Sequence, residues 1–193
     1  MRKLFAMFLA LIVIIQIIPS SCEAASTISI SGLEKCIKNI FEDTEGEFKE
    51  TVNQQGEIEF NGIMTVSTFF QVMIQGYADK DRNVKAFAYI IPVTLTSALD
   101  AFETMTVDSL KKDMENSKKL PMGRLNMDMF LMGYGKIMAF LAGERRSDDY
   151  YGMENLFKAR EETETINDWL YSVQIVRRED RTGVIAITAI AVD

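Results

Sequence analysis

The sequence predicts a single α+β domain that follows an N-terminal signal peptide, with helices packed on one face of an antiparallel sheet. Residues 57–75 alternate apolar and polar side chains, which is typical of a half-buried strand. Residues 169–192 resemble a hairpin, with two strands around a polar turn. Residues 32–54 repeat apolar side chains at helical spacing. Strands are therefore expected within 57–95, 124–144 and 169–192, and helices within 32–54, 98–117 and 153–165.

The N-terminus has the three-part layout of a secretory signal. Two basic residues precede an apolar run, Leu4–Ile18, and small residues follow it. This run is shorter than the roughly 20 residues that a membrane-spanning helix needs. We therefore expect cleavage after Ala24 rather than a permanent anchor. The predicted products are a signal peptide, 1–24, and one exported domain, 25–193.

A second processing route ends at Cys22. Lipoprotein signals place an aliphatic residue and two small residues before the cysteine that becomes acylated. Ser20 and Ser21 fit this pattern, whereas Pro19 stands where Leu, Val or Ile is expected. One lipid on Cys22 would anchor the chain only marginally. If Cys22 is retained without a lipid, it could pair with Cys36, which otherwise reads as a small buried hydrophobic residue.

The first predicted helix spans 32–54. Ser31 and Glu34 form a capping box at its start, and Gly56 is a good stop residue. Gly46 weakens the middle of this helix and can divide it.

The alternating stretch that follows is too long for one flat strand, so a turn is expected near Asn61–Gly62. A polar turn at 78–83 should then join two antiparallel strands. Its Asp79-x-Asp81-x-Asn83 pattern resembles the start of a calcium loop, but Val84 and Ile90 replace the glycine and the glutamate that such a loop needs. Turn chemistry explains the Asp and Asn residues as well.

The next helix, 98–117, should begin at an N-cap formed by Ser97 and be interrupted at Thr104–Thr106, where β-branched residues cluster. Residues 125–142 are ambiguous, because their apolar positions fit both a helix and a strand. Gly133 and Gly135 would together cost a helix about 2 kcal/mol relative to Ala. They favour two strands that turn between them.

Composition excludes several functions. The chain has a net charge of −7 and no histidine. An acidic domain is a poor binder of nucleic acid or of an anionic membrane surface, and removal of the signal would make the charge −8. The lack of histidine excludes Ser-His-Asp and Cys-His catalysis and every metal site that uses imidazole. No cofactor is expected.

Methionines are dense between residues 122 and 138. Met127, Met129 and Met132 are candidate thioether ligands for Cu(I). On a strand, Met127 and Met129 share a face; on a helix, Met129 and Met132 align. Neither geometry brings all three sulfurs together, so core packing is the simpler interpretation and Cu(I) binding the alternative.

Tyr150 and Tyr151 are candidate partner-binding residues, since they follow two aspartates in a predicted loop and tyrosines in loops often bind proteins or glycans. Burial under the loop is the alternative interpretation.

Two patterns hint at catalysis without completing it. Ser109-Leu110-Lys111-Lys112 matches the S-x-x-K element of penicillin-binding enzymes, but the companion elements are off-pattern. Glu144 and Asp148 could form a carboxylate pair of a hydrolase, although one sequence cannot place them across a cleft.

The function expected from these observations is that of an exported, non-enzymatic protein, located in the periplasm, on the cell envelope or outside the cell. Its partner would be a protein or a small molecule rather than nucleic acid. Membrane contact would arise only through a lipid on Cys22 or an uncleaved signal anchor. The second face of the predicted sheet is partly polar, which suits a groove or the contact surface of a homo-oligomer.

Overall fold

The computed structural model describes residues 28–41, 48–67, 70–94, 96–144, 148–179 and 182–192. Within them, seven strands form one sheet: β1 (Lys49–Val52), β2 (Ile58–Ser67), β3 (Phe70–Ala78), β4 (Val84–Val93), β5 (Glu164–Ile166), β6 (Trp169–Arg177) and β7 (Gly183–Ala191). The strand order is β1-β2-β3-β4-β7-β6-β5, and all neighbours are antiparallel.

The helices are α1 (Ile30–Ile40), α2 (Thr96–Glu103), α3 (Val107–Glu115), α4 (Met122–Leu141) and α5 (Met153–Lys158), with a short 3-10 turn at Ser117–Lys119. Four of them lie between β4 and β5 in the chain, so the sheet consists of a four-stranded meander and a three-stranded meander that meet at β4 and β7. This confirms the expected α+β class.

The centre of the core is a set of aromatic rings between β4 and α4. The ring of Tyr89 lies 4.9 Å from that of Tyr134 and 5.8 Å from that of Phe130, measured between centroids. On the same strand, Phe87 reaches Trp169 of β6 at 5.7 Å. All five side chains are buried. Helix α4 therefore covers the middle of the sheet.

The prediction of two strands in 125–142 is wrong, because α4 runs through this whole stretch. The two glycines serve close packing rather than a turn. A β-carbon at Gly133 would clash with the ring of Phe41, and one at Gly135 would lie 3.1 Å from the carbonyl oxygen of Asp149. The free energy gained from this close packing outweighs the cost of placing two glycines, which have low helix propensity, inside a helix.

The first predicted helix is too long. Helix α1 ends at Ile40, and Lys49–Val52 forms the edge strand β1 instead. The capping box is also misplaced, because the Ser29 hydroxyl, rather than that of Ser31, accepts the N–H of Gly32 at 3.1 Å. Gly46 lies outside the described residues.

No turn occurs at Asn61–Gly62, since β2 continues through this pair and the chain reverses after Ser67. Gly62 leaves room for the ring of Phe48, which would lie 2.5 Å from a β-carbon there. Phe48 stacks on Phe60 with centroids 5.3 Å apart and closes that edge of the core.

The expected polar turn between two antiparallel strands is confirmed at 78–83. The Asp79 carboxylate accepts the backbone N–H groups of Asp81 at 3.0 Å and Asn83 at 2.9 Å. These bonds explain the calcium-like pattern as turn chemistry. The C-terminal hairpin is likewise confirmed as β6 and β7.

The interruption predicted near Thr104–Thr106 is confirmed, because α2 ends at Glu103 and α3 begins at Val107. A capping box of Thr106 and Ser109 starts α3. The helix expected over 153–165 is shorter: α5 ends at Lys158 and Glu164–Ile166 forms β5.

We expect Gly133→Ala to lower the free energy of unfolding by about 1–3 kcal/mol, because the new methyl group would displace the ring of Phe41. This is the net change: the clash should cost more than the roughly 1 kcal/mol by which Ala stabilises a helix relative to Gly. Urea unfolding followed by the fluorescence of Trp169, the single and buried tryptophan, measures the change. The double variant Phe41→Leu/Gly133→Ala should lose less than the two single changes added together. A stabilised Gly133→Ala variant would show that the close packing at this position is not needed.

Candidate functional site

A surface groove of about 1200 Å³ lies on the helical side of the described part of the chain. The start of α3 forms one wall, helix α5 and the segment after it form the other, and the loop 148–152 lies between them. The loop passes against α4 at Gly135. The groove therefore lies where three elements meet above the core.

Tyr150 stands in this groove with one face of its ring occupied. The ammonium nitrogen of Lys111 lies 5.2 Å from the ring centroid, which is a cation–π contact. The backbone N–H of Tyr150 donates to the Asp148 carboxylate at 2.9 Å and fixes the turn. Burial is the main cause that raises the pKa of Tyr150, and nearby carboxylates, Asp149 first, add to it.

Tyr151 is held by a hydrogen bond at its hydroxyl, which accepts from Asn167 Nδ2 at 2.9 Å. Both tyrosines are half-buried and pack against the core while lining the groove. The structure thus brings the two candidate partner-binding residues together at one groove, where both are partly buried against the core. Each tyrosine is anchored by a specific contact and stays partly exposed at the groove.

Arg160 fixes the floor of the groove, and sequence reasoning missed it. Its guanidinium donates to the carbonyl oxygens of Phe157 at 2.8 Å, Met105 at 2.9 Å, and Phe102. It also lies 5.0 Å from the ring centroid of Phe157. Burial lowers the pKa of Arg160, which Glu161 and Glu103 partly oppose. The sequence did hold one signal for this role: Arg160 lies in the second half of the helix predicted over 153–165, and cationic side chains commonly bind the free carbonyl groups at the C-terminal end of a helix.

The groove is strongly acidic. Two of its three basic groups have partners within it, since Lys111 lies over Tyr150 and Lys158 pairs with Glu154 at 3.5 Å. The guanidinium of Arg160 is committed to backbone carbonyls. Against these stand seven carboxylates, on Asp108, Glu144, Asp148, Glu154, Glu161, Glu162 and Glu164. The arrangement favours a ligand that carries positive charge.

Asp128 of α4 is a buried carboxylate, and it contributes to the field at Tyr150. Arg124 joins it to α3: the guanidinium lies 2.5 Å from Asp113 and 3.2 Å from Asp128. The second contact is misaligned, so neither Asp128 oxygen accepts a hydrogen bond from the described residues. Burial raises the pKa of Asp128 to about 6, although the charge of Arg124 lowers it.

The three candidate copper ligands do not converge. Met127 is buried in the core, Met129 is 44% exposed and Met132 is half-buried. Met127 lines a second cleft, of about 600 Å³, together with Met122 and Phe70. Met129 and Met132 are not among the residues that line it.

The residues of the two catalytic patterns are not close partners of one another in an enclosed site. The Ser109 hydroxyl is bound in the capping box of α3, while Glu144 and Asp148 are exposed on the groove beside Tyr150. Burial raises the pKa of the Cys36 thiol to about 11, so that it stays protonated at neutral pH. Cys22 and Ala24, the candidate processing residues, lie outside the described residues.

The part of the chain that the structure describes contains no group of three or more His, Cys, Asp or Glu side chains able to hold a metal ion. None of its helices is long and apolar enough to cross a membrane.

Comparison with protein-family models, with curated proteins and with solved structures gives no match for this chain.

We expect Asp128→Asn to remove a pH dependence of stability. The pKa of about 6 in the folded state is above the ordinary value of 3.8, so the folded state binds the proton more tightly. The buried carboxylate therefore destabilises the fold as the pH rises from about 4 to about 7, by up to about 3 kcal/mol. Urea unfolding across this range, wild type against Asp128→Asn, measures the difference. Asp108→Asn, on the exposed side of α3, serves as the control and should keep the slope of the wild type. Equal slopes for wild type and Asp128→Asn would contradict the assignment.

Proposed function

We propose that this is an exported, non-enzymatic protein that binds a basic segment of a partner protein in the groove beside Tyr150 and Tyr151. The observation that carries the proposal is the composition of the groove, which seven carboxylates line together with two anchored tyrosines. Lysine and arginine side chains complement both features, because carboxylates attract their charge and aromatic faces attract it as well.

The contact between Lys111 and Tyr150 illustrates this recognition within the chain itself. An ammonium group already lies over the ring, 5.2 Å from its centroid. The carboxylates of Glu161 and Glu162 are exposed on the far wall. A basic segment lying along the groove could contact this wall and the tyrosines together, which favours binding of an extended segment over binding of a single ion.

The surroundings of the groove support binding better than catalysis. A carboxylate general acid usually lies in an apolar pocket that keeps it protonated. Glu144 and Asp148 are both exposed to solvent. Histidine is absent from the sequence, so a base of that kind is not available. The geometry therefore favours a binding protein over a hydrolase.

The proposed export rests on the N-terminal pattern of basic residues, apolar run and small residues. Release after Ala24 would place the protein in the periplasm or outside the cell, and acylation of Cys22 would add a membrane tether, which is marginal if only one lipid is attached.

Fluorescence anisotropy with a labelled peptide of Arg, Lys, Gly and Ser tests the groove. We expect binding that weakens as salt is added, and no binding of a matched peptide with Glu and Asp in place of the basic residues. Glu161→Gln/Glu162→Gln should weaken binding about tenfold, because each exposed carboxylate contributes up to about 1 kcal/mol. Tyr150→Ala should weaken it by a similar factor through loss of the ring.

The matched control is Glu59→Gln/Glu179→Gln, which removes the same charge from exposed positions outside the groove. If the control weakens binding as much as the groove variant, the attraction is a property of net charge and the proposed site is wrong. Equal binding of the acidic peptide would also contradict the proposal.

Intact mass measurement of the protein from its native host tests the proposed processing. We expect a chain that starts at Ala25, because cleavage after Ala24 fits the small residues there. A mass that includes a lipid on Cys22 would establish the tethered form, and an unprocessed chain would contradict cleavage.

A further inference from the structure

The second cleft lies where α4 begins, and its volume is about 600 Å³. The start of β3 and the end of β4 contribute to its lining, and the beginnings of α2 and α4 contribute the rest. Among the described residues, it shares no lining residue with the groove beside Tyr150. Small-molecule sites in proteins are clefts of about 300–1,000 Å³, so the cleft has the size of a ligand site.

This cleft contains a buried amide, that of Asn126. The residue is only 4% exposed and lines the cleft, and its amide makes no hydrogen bond with any described residue. Buried polar side chains nearly always have a partner, because an unbonded one has lost its interaction with water. Four more exposed asparagines do make side-chain hydrogen bonds: Asn53, Asn83, Asn116 and Asn167. The amide of Asn126 is therefore available to a ligand in the cleft.

The first turn of α4 adds main-chain donors. The N–H groups of Arg124 and Leu125 donate to the carbonyl oxygen of Pro121 at 3.0 and 3.1 Å. Those of Met122 and Gly123 have no acceptor among the described residues, and Pro121 provides no side-chain cap. Because Gly123 has no side chain, its part of the lining is main chain. The main chain at the positive end of a 20-residue helix thus borders the cleft.

These donors favour a carboxylate. Asn126 follows Met122 by about one helical turn, and helical side chains lean toward the N-terminus, so the amide lies over the first turn. Main-chain N–H groups at a helix start bind anions, and an amide N–H adds to them. Lys118 and Lys119, exposed on the 3-10 turn just before α4, contribute positive charge. None of the described residues that line the cleft is acidic, so a carboxylate meets no like charge there.

Apolar side chains define the rest of the ligand. Phe70, Val93 and Met127 line the cleft, and Pro92 and Ala98 extend this apolar lining. Val93 and Met127 are buried parts of the core, which holds them in place. A ligand that fits both the donors and this lining has a single charged end and an apolar body.

We propose that the cleft at the start of α4 binds a small monocarboxylic acid with an apolar body. The carboxylate accepts from Asn126 Nδ2 and from the N–H groups of Met122 and Gly123. The body of the acid packs on Phe70 and Val93. The two sites of the molecule then have opposite preferences, since this cleft takes an anion and the groove beside Tyr150 takes a basic segment.

Isothermal titration calorimetry with octanoate, on the protein purified from an exporting host, tests this proposal. We expect one saturable site. Octan-1-ol has the same chain length without the charge, and it should bind at least tenfold more weakly because it cannot use the charge at the helix start.

Asn126→Leu removes the amide and keeps the position apolar. It should weaken octanoate binding at least tenfold and leave the binding of octan-1-ol and of the basic peptide unchanged. The variant should be at least as stable to heat as the wild type, since an apolar side chain replaces a buried amide that has no partner among the described residues. Circular dichroism measures its melting temperature.

The control is Asn61→Leu, which makes the same replacement at an exposed position of β2 outside the cleft and should bind octanoate as the wild type does. A wild type without saturable octanoate binding would overturn the proposal, as would equal affinity for octan-1-ol. Unchanged octanoate binding by Asn126→Leu would do the same. A marked loss of stability in Asn126→Leu would show that the amide serves the fold instead of a ligand, and it would count against the proposal equally.

Discussion

The rest of the structure depends on the close packing of α4 against the sheet. The rings of Phe130 and Tyr134 meet Tyr89 at the middle of β4, and Gly133 between them leaves room for Phe41 at the end of α1. Helix α4 also contacts α2, α3 and β2. Helices α1, α2 and α3 thus all have α4 as a neighbour, so that its position sets theirs. A bulkier side chain at Gly133 would separate α4 from α1 and thereby loosen one whole side of the core.

The groove inherits its shape from this packing through three contacts. Gly135 lets the loop 148–152 lie against α4, and Arg124 ties α4 to α3 through Asp113. Arg160 binds carbonyl oxygens at the end of α2 and of α5 and so joins the two walls. Most of the acidic side chains on the rim are exposed, whereas the backbone beneath them is fixed by these contacts. A partner would therefore meet charges on a preformed frame, which reduces the entropy lost on binding.

Sequence reasoning succeeded where one local signal dominates. The alternation in β2 to β4, the C-terminal hairpin and the break before α3 all follow from side-chain period and turn chemistry. It failed where the partner is distant in the chain. Nothing near Gly133 reveals the ring of Phe41, and four residues at 49–52 become a strand only because β2 lies beside them. The same limit applies to the groove. Tyr150 and Tyr151 are adjacent in the sequence and could be singled out from it, whereas Arg160 and the buried Asp128 owe their roles to contacts that only the folded chain makes.

The pairing of β4 with β7 has a consequence for how the chain folds. These strands form the middle of the sheet, yet Ile90 and its partner Ala186 are separated by roughly 100 residues. Contacts between residues so distant in sequence form late, because closing the loop costs entropy before the pairing repays it. The core cannot close until the last strand, Gly183–Ala191, has emerged. For a chain that crosses a membrane as an extended polymer, as we propose, this topology delays folding until after translocation and makes the C-terminal strand the step that completes the domain.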